Sequence, residues 1–456
     1  MRRRLRIFAV ALLLTGCALK NPMQGDELRQ HTLSNAIVPQ QWQAGSPAEG
    51  DVNNQWLEQF HSPQLSALVA EALANNPDLQ QSEARLEQAV ALLQQAEGSL
   101  FPAVDLLGKS GGKLGGDNTG LKGALLSASW ELDVWGRVRY GVRANESEYY
   151  ATAADLRFAR QSLAALVAKT WIKTIETDQQ IALMQSDQEA AVQLTQLTRQ
   201  RVKAGADSEM EITETRKSES AARDRLQSLQ LAAIQLRQAL TLLLGRYPSA
   251  DIDLPETLPA MPGPVPAGLP SQLLERRPDV IAAELRVASA FNQAEAAKAA
   301  LLPRISLTIT GASLSSSLLA LSNHSNPFWS AGASILAPIF EGGALRAQVA
   351  QRNAEQDAAL AGFTKAGLNA FGDVEKALAG ELSLAQRHET QQSIVDDNRR
   401  QLDVERSRNR IGASDRRRVL KQQRQVLTAE SQLLQLRREQ LIQRIDLYLA
   451  LGGGFS

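Results

Sequence analysis

Cysteine is almost absent: Cys17 stands alone in 456 residues, so the chain cannot form a disulfide within itself. Excess charge of either sign is absent too. Lysine plus arginine equals aspartate plus glutamate, 49 of each, which leaves no electrostatic footprint for nucleic acid. Aromatic residues make up only 5%, which suits long helices better than a dense globular core. The four histidines, His31, His61, His324 and His388, are scattered. No HExxH pair, cysteine partner or GxxxxGK[ST] loop accompanies them, so no metal, cofactor or catalytic site is expected and the chain does not read as an enzyme. Beyond the N-terminal segment no stretch is apolar over the ~20 residues that a spanning helix needs.

A local absence of proline organises the rest. Arg137 to Tyr247 has no proline and only three glycines, Gly141, Gly205 and Gly245. The run reads as one antiparallel helical hairpin. Gly205, in Lys203-Ala204-Gly205-Ala206-Asp207, is the stop, and Asp207 is expected to cap the returning arm. At 1.5 Å per residue the rising arm to Ala204 is about 100 Å long and the return to Leu244 about 57 Å. Such a helix has no place in a compact globule and must span a distance.

Residues 1–16 read as a secretory signal, with basic Arg2, Arg3, Arg4 and Arg6 before apolar Ile7 to Leu14. Leu14-Thr15-Gly16-Cys17 resembles the bacterial lipobox, which implies a lipid on Cys17; an ordinary signal peptide with an accidental cysteine is the alternative. Ala18 follows rather than aspartate, which in such lipoproteins favours sorting to the outer membrane. Residues 17–62 carry Pro22, Pro39 and Pro47 among polar residues and read as an extended leader.

From residue 63 the pattern turns helical, with Leu65, Leu68, Val69, Ala72 and Leu73 on one face. Asn75-Asn76-Pro77-Asp78 breaks this helix and starts another, to about Leu100. Phe101-Pro102 then switches the period. Ala124, Leu126, Ala128, Trp130, Leu132 and Val134 alternate with Leu125, Ser127, Ser129, Glu131 and Asp133, a strand over about 124–134. Its partner, about 103–110, alternates more weakly across a glycine-rich loop. After the hairpin, prolines crowd an extended linker, 248–270.

The chain then starts again. Asn76-Pro77-Asp78-Leu79 returns as Arg277-Pro278-Asp279-Val280, Phe101-Pro102 as Leu302-Pro303, Gly205 as Gly412, and Leu244-Gly245 as Leu451-Gly452. Repeats of 63–247 and 271–456 follow, the second with strands about 304–313 and 329–339 and a helical hairpin 341–451. Leu420, Leu427, Leu434, Leu441 and Tyr448 recur every seven residues, the spacing of packed helices.

The strands have the length of membrane β-strands, with one apolar and one largely polar face. Four strands cannot close in a bilayer, where open edges are forbidden. The barrel must therefore be shared between chains, and the hairpins would continue from it as a helical tube.

These features, with Leu132-Asp133-Val134-Trp135-Gly136-Arg137, Arg277-Pro278-Asp279, Pro338-Ile339-Phe340-Glu341-Gly342-Gly343 and Tyr448-Leu449-Ala450-Leu451-Gly452-Gly453-Gly454, resemble the TolC-type outer-membrane factors. The similarity is greatest to the lipoprotein (NodT-like) branch of tripartite efflux systems. It implies an α+β membrane protein, a homotrimer with a twelve-stranded outer-membrane barrel continued by a helical barrel in the periplasm of a Gram-negative bacterium. It also implies a passive exit duct for small toxic compounds or drugs, docked by a periplasmic adaptor (a membrane fusion protein) and an inner-membrane pump. A protein-secretion duct and a non-transporting coiled-coil lipoprotein are the alternatives. The substrate and the pump family are not legible.

The informative charges lie at the two tips, Gly205 and Gly412. At the repeat offset, Glu209 aligns with Arg416, Glu211 with Arg418 and Glu214 with Lys421, acidic against basic. With Arg417 and Arg424 on nearby turns, these are expected to hold the mouth shut or to seat the adaptor. Glu131 and Asp133 are expected to be lumen-facing barrel carboxylates. Asp373 and Glu375 read as part of a solvated helix face.

Overall fold

The computed structural model describes residues 19–34, 39, 41–44, 55–110, 122–268, 270–315 and 328–454. Cys17 and the loops at 111–121 and 316–327 lie outside them. Among the described residues the elements run α1 (Gly25–Thr32), a 3-10 turn (Trp56–Phe60), α2 (Pro63–Asn75), α3 (Pro77–Gly98), β1 (Ala103–Ser110), β2 (Lys122–Leu132), α4 (Arg137–Lys203), α5 (Glu209–Leu243), α6 (Pro270–Arg276), α7 (Pro278–Ala299), β3 (Arg304–Ser315), β4 (Phe328–Leu336), α8 (Ala344–Arg410) and α9 (Arg416–Ala450). The duplication shows in the lengths. Helices α3 and α7 have 22 residues each, α4 and α8 have 67, and α5 and α9 have 35.

Two compact units form, and each takes segments from both repeats. The first comprises Met1–Ile37, Ala84–Asp155 and Asp279–Ala366; the second comprises Val38–Glu83, Leu156–Pro278 and Gly367–Ser456.

The first unit holds an antiparallel sheet in the order β1-β2-β3-β4. Its register sorts the side chains. Val104 and Leu106 stand beside Ala128 and Leu126, these beside Ile309 and Gly311, and these beside Ala331 and Trp329. Trp130, Leu307 and Ala333 continue the same face, as do Leu132, Ile305 and Ile335. One face is therefore apolar across every strand. The indole of Trp329 lies over Gly311, where a Cβ would come within 2.7 Å of the ring. The opposite face carries Asp105, Ser127, Ser129, Glu131, Ser306, Thr308, Thr310, Ser330 and Ser334. Strands β1 and β4 end the sheet with unpaired outer edges. Strand β2 stops at Leu132 and β4 at Leu336, short of the expected 134 and 339.

In the same unit the start of the leader is fixed, and Gly25–Thr32 within it is helical rather than extended. Tyr140 Oη accepts the Lys20 N–H at 2.7 Å, Glu284 accepts the Gly25 N–H at 2.8 Å, and Leu28 is buried.

The second unit contains the hairpin tips. Both long arms stop as a glycine-ended helix should. Gly205 and Gly412 have φ of 72° and 74°. Behind them the Ala206 N–H reaches Arg201 O at 2.9 Å and the Ala413 N–H reaches Arg408 O at 2.8 Å, which satisfies terminal carbonyls. Ser208 and Asp415 cap the returning helices through the N–H groups of Glu211 and Arg417. Asp207, the expected cap, is displaced from that role by Ser208. At the opposite end of the hairpin, Asn76 caps α3 through the N–H groups of Asp78 and Leu79 and donates to Leu243 O of α5 at 3.0 Å.

Candidate functional site

The helices of the second unit are joined side by side in the order α5, α4, α9, α8. Arg237 of α5 meets Asp178 of α4 at 2.6 Å. The α4–α9 seam carries a ladder of polar contacts: Lys169 with Asp446, Glu176 with Arg438 at 3.4 Å, Gln180 with Ser431, and Asp187 with Arg424 at 2.7 Å. Glu176, Gln180 and Asp187 are buried. Arg399 with Glu430 at 2.6 Å and Arg444 with Glu381 join α9 to α8. The outer helices of this row, α5 and α8, expose apolar side chains, Leu231, Ile234 and Leu242 on α5 and Leu382, Ile394 and Val404 on α8.

The linker 248–270 lies against this layer. Arg437 donates to Pro259 O at 3.2 Å, Arg444 to Pro262 O at 3.0 Å, and Gln179 to Glu256 O at 2.9 Å. Trp42 donates to Gly268 O at 3.1 Å. Glu375 is not part of a solvated face: its carboxylate accepts the N–H groups of Gln43 and Ala44 at 3.0 and 2.8 Å. Asp373 is exposed, as a solvated face implies, and is paired with Arg277 at 3.1 Å.

The tips meet through one ionic cluster. Asp207, in the first turn, accepts from Arg201 at 2.9 Å and from Arg417 of α9 at 2.5 Å. Arg417 also binds Asp415 at 2.8 Å and approaches Glu211 to 3.8 Å, while Arg201 lies 3.7 Å from Asp415. The Arg201 hydrogen bond, aided by the Arg417 charge, holds the Asp207 carboxyl below the usual carboxylate range. Burial pushes Asp415 up, but its bonds from Arg417 outweigh this and leave it lowered. The Ser414 hydroxyl and Arg408 lower Glu405 in the adjoining turn.

Several sequence-predicted residues take different places. Arg424 is a seam residue, held by Asp187 of α4 and Ser218 of α5, rather than a tip residue. Glu209, Glu214, Arg416, Arg418 and Lys421 are exposed and stay out of the cluster. Within the chain Glu211 approaches Arg417 rather than Arg418, the residue at its repeat position. Glu131 and Asp133 are not a free carboxylate pair. Glu131 takes two bonds from Arg137, at 3.0 and 2.6 Å. Asp133 lies beyond the strand and caps α4 through the N–H groups of Val138 and Arg139. Sequence reading missed Asp207 as an ion-pair centre, and also Arg201 and Asp187. Their partners are more than two hundred residues away in three of the contacts, so only the hairpin register could have suggested them. Among the described residues no group of three or more His, Cys, Asp or Glu is placed to hold a metal, and no helix is long and apolar enough to cross a membrane.

Comparison with known proteins agrees with this layout. The model of the outer membrane efflux protein family matches residues 68–246 and 269–453. The chain is 31% identical to the pyoverdine export outer membrane protein OpmQ of Pseudomonas aeruginosa, covering 100% of this chain and 97% of the relative. It is also 31% identical to the toluene efflux pump outer membrane protein TtgC of Pseudomonas putida, over 99% of this chain and 95% of that one. The fold is similar to the open state of the MtrE outer-membrane channel of Neisseria gonorrhoeae, with a TM-score of 0.78, 26% identity, and coverage of 96% and 98%. An amphipathic sheet with two open edges, a duplicated pair of 67-residue helices and these matches lead to one conclusion: the chain belongs to the outer membrane efflux protein family, the outer-membrane channels of tripartite efflux systems.

Proposed function

We propose that three copies of this chain close one barrel and one helical tube, a passive exit duct for small toxic compounds that an adaptor and an inner-membrane pump open from the periplasmic end. One observation carries the reading: the four-stranded sheet has a face that is apolar across all strands and two unpaired edges. In hydrocarbon an unpaired edge leaves its outward-facing N–H and C=O groups unsatisfied, so β1 of one chain must join β4 of the next. The same cyclic closure suits α5 and α8, the two outer helices with exposed apolar side chains. The polar face of the sheet then lines the pore, and Cys17 anchors the leader to the outer membrane through its lipid. Relatives named for pyoverdine export and toluene efflux support small molecules as cargo.

We assign the Asp207–Arg417 cluster to the closed state of the mouth. It ties the first tip to the start of α9 within one chain, so separating the tips breaks it. Planar-bilayer recording tests the reading. Purified protein is expected to give discrete conductance steps, and deletion of the gene to sensitise cells to toxic compounds. Failure to conduct after verified insertion would overturn the duct.

A further inference from the structure

Helix α9 has two unlike faces. One meets the linker, where Arg437 donates to Pro259 O at 3.2 Å and Arg444 to Pro262 O at 3.0 Å. At about 100° per residue these two arginines project within about 20° of each other. Gln425, Thr428, Gln432 and Gln435 project within about 60° of the opposite direction. All four are exposed. Charge is plentiful on α9, yet this second face carries none between Lys421 and Glu439. The cations at its margin are held by buried carboxylates of α4, Arg424 by Asp187 at 2.7 Å and Arg438 by Glu176 at 3.4 Å.

Across the other margin, α8 continues the same chemistry. Gln386, Thr390 and Gln391 of α8, with Gln432, Gln435 and Leu436 of α9, line a cavity of about 440 Å³. Two of its amides are fixed by their own bonds: Gln391 Nε2 donates to Ala429 O at 3.0 Å and to Gln432 Oε1 at 3.2 Å. That leaves the Gln391 oxygen to accept and the Gln432 nitrogen to donate. Arg387 and Glu439 also border the cavity, but they face each other at 3.7 Å and cancel. Glutamine is an ordinary residue of a solvated helix. What sets this wall apart is that the charges at its margins, Arg387, Arg424, Arg438 and Glu439, are all paired while its amides are left to bind.

We infer that this face of α9, with the adjoining edge of α8, is the cargo-contacting wall of the duct, and that it meets cargo through hydrogen bonds without selecting for charge. This rests on the reading of the chain as a passive duct: the linkers of all copies inside the tube would fill the path, so the face opposite the linker is the one that borders it. The compounds that fit are small and carry both donor and acceptor groups, whether neutral, zwitterionic or of either sign. Amides let such groups exchange water for protein at little net gain. Conduction needs contacts of that weak, repeated kind, since a tight site would stop the flow. Carboxylates or lysines in the same positions would admit one sign and hold back the other.

The test is the reversal potential of the full-length protein in planar bilayers under a KCl gradient. Gln432→Glu with Gln435→Glu is expected to raise the cation-to-anion permeability ratio by at least about twofold, and Gln432→Lys with Gln435→Lys to lower it by a similar factor. Arg437→Glu, on the linker face, leaves the ratio where it was. Gln432→Cys gives a second reading: a negatively charged thiol reagent raises the ratio, a positively charged one lowers it, and neither acts on Arg437→Cys. Heat-modifiable oligomers on gels confirm that each variant is assembled. A ratio that ignores the glutamine variants, moves with only one sign of charge, or follows Arg437 instead overturns the inference. Conductance of the same preparations separates the two levels: intact conductance with an unmoved ratio removes only the amide wall, whereas absent conductance in the unsubstituted protein removes the duct.

Discussion

Removing one side of the Asp187–Arg424 contact measures how firmly α4 and α9 are joined. The carboxylate side chain is 6% exposed and the guanidinium 22%. Two N–H···O bonds, at 2.7 and 3.0 Å, make a fork, and Arg424 also reaches Ser218 Oγ at 2.6 Å. Exposed pairs contribute about 0–1 kcal/mol. Loss of one partner of a fully buried pair costs about 3–5 kcal/mol, because a charge is left dry. This pair lies between those limits, and its two halves are unequal. In Asp187→Ala the guanidinium keeps Ser218 and can turn toward water, so the cost is about 1–2 kcal/mol. In Arg424→Ala the carboxylate has no exit, so the cost is about 3 kcal/mol. The double variant should recover about 1–2 kcal/mol relative to the sum. Denaturant titration of the helical signal at one fixed protein concentration reads all three, since assembly couples stability to concentration. Additivity within about 0.5 kcal/mol, or a larger loss in Asp187→Ala than in Arg424→Ala, would refute the assignment of Asp187 as the dry half of the seam.

Arg417→Ala should raise closed-state conductance in planar bilayers while Lys421→Glu alone leaves it unchanged, because Arg417, and not Lys421, touches Asp207; an unaltered Arg417→Ala channel would remove the cluster from gating. Asp207, Asp415 and Glu405 all have lowered folded-state pKa values. Their contribution is therefore full above the ordinary carboxylate range and lost only as pH falls through it, so closed-state conductance should hold steady from neutral to mildly acidic pH and rise below that; a rise near neutrality would contradict the assignment. Gly205→Ala, at φ 72° with nothing within 4 Å of the new Cβ, should cost about 1–2 kcal/mol. Gly245→Ala has nearly the same φ, 74°, but its Cβ would come within 2.4 Å of Asn75 O, so its melting temperature should fall further; equal shifts would contradict the close approach.

Much of the architecture is legible in the chain because its signals are local. Alternation from Ala124 to Leu132 marks a strand, proline-free runs mark helices, and Gly205 and Gly412 mark the tips. The boundaries blur where polar residues serve two structures: Asp133 continues the alternation of β2 yet spends its carboxylate on the first turn of α4. The site is less legible because its partners are remote. Nothing in the neighbourhood of Glu375 says that it holds the backbone of Gln43 and Ala44, more than three hundred residues earlier. Arg424 looks like one more tip cation until the α4–α9 register sets Asp187 beside it. Charge counts at the tips were readable, but the chain's own Asp207 neutralises Arg417, leaving its neighbours bare.

Shared closure of the sheet is tested most directly by disulfide scanning between β1 and β4. Cysteines are placed singly along each of the two edge strands of one chain, and membranes are oxidised and run on denaturing gels. Closure of three chains predicts a ladder that stops at three, with one register of positions linking strongly. Monomers at every position, or a ladder that continues past three, would contradict the shared barrel.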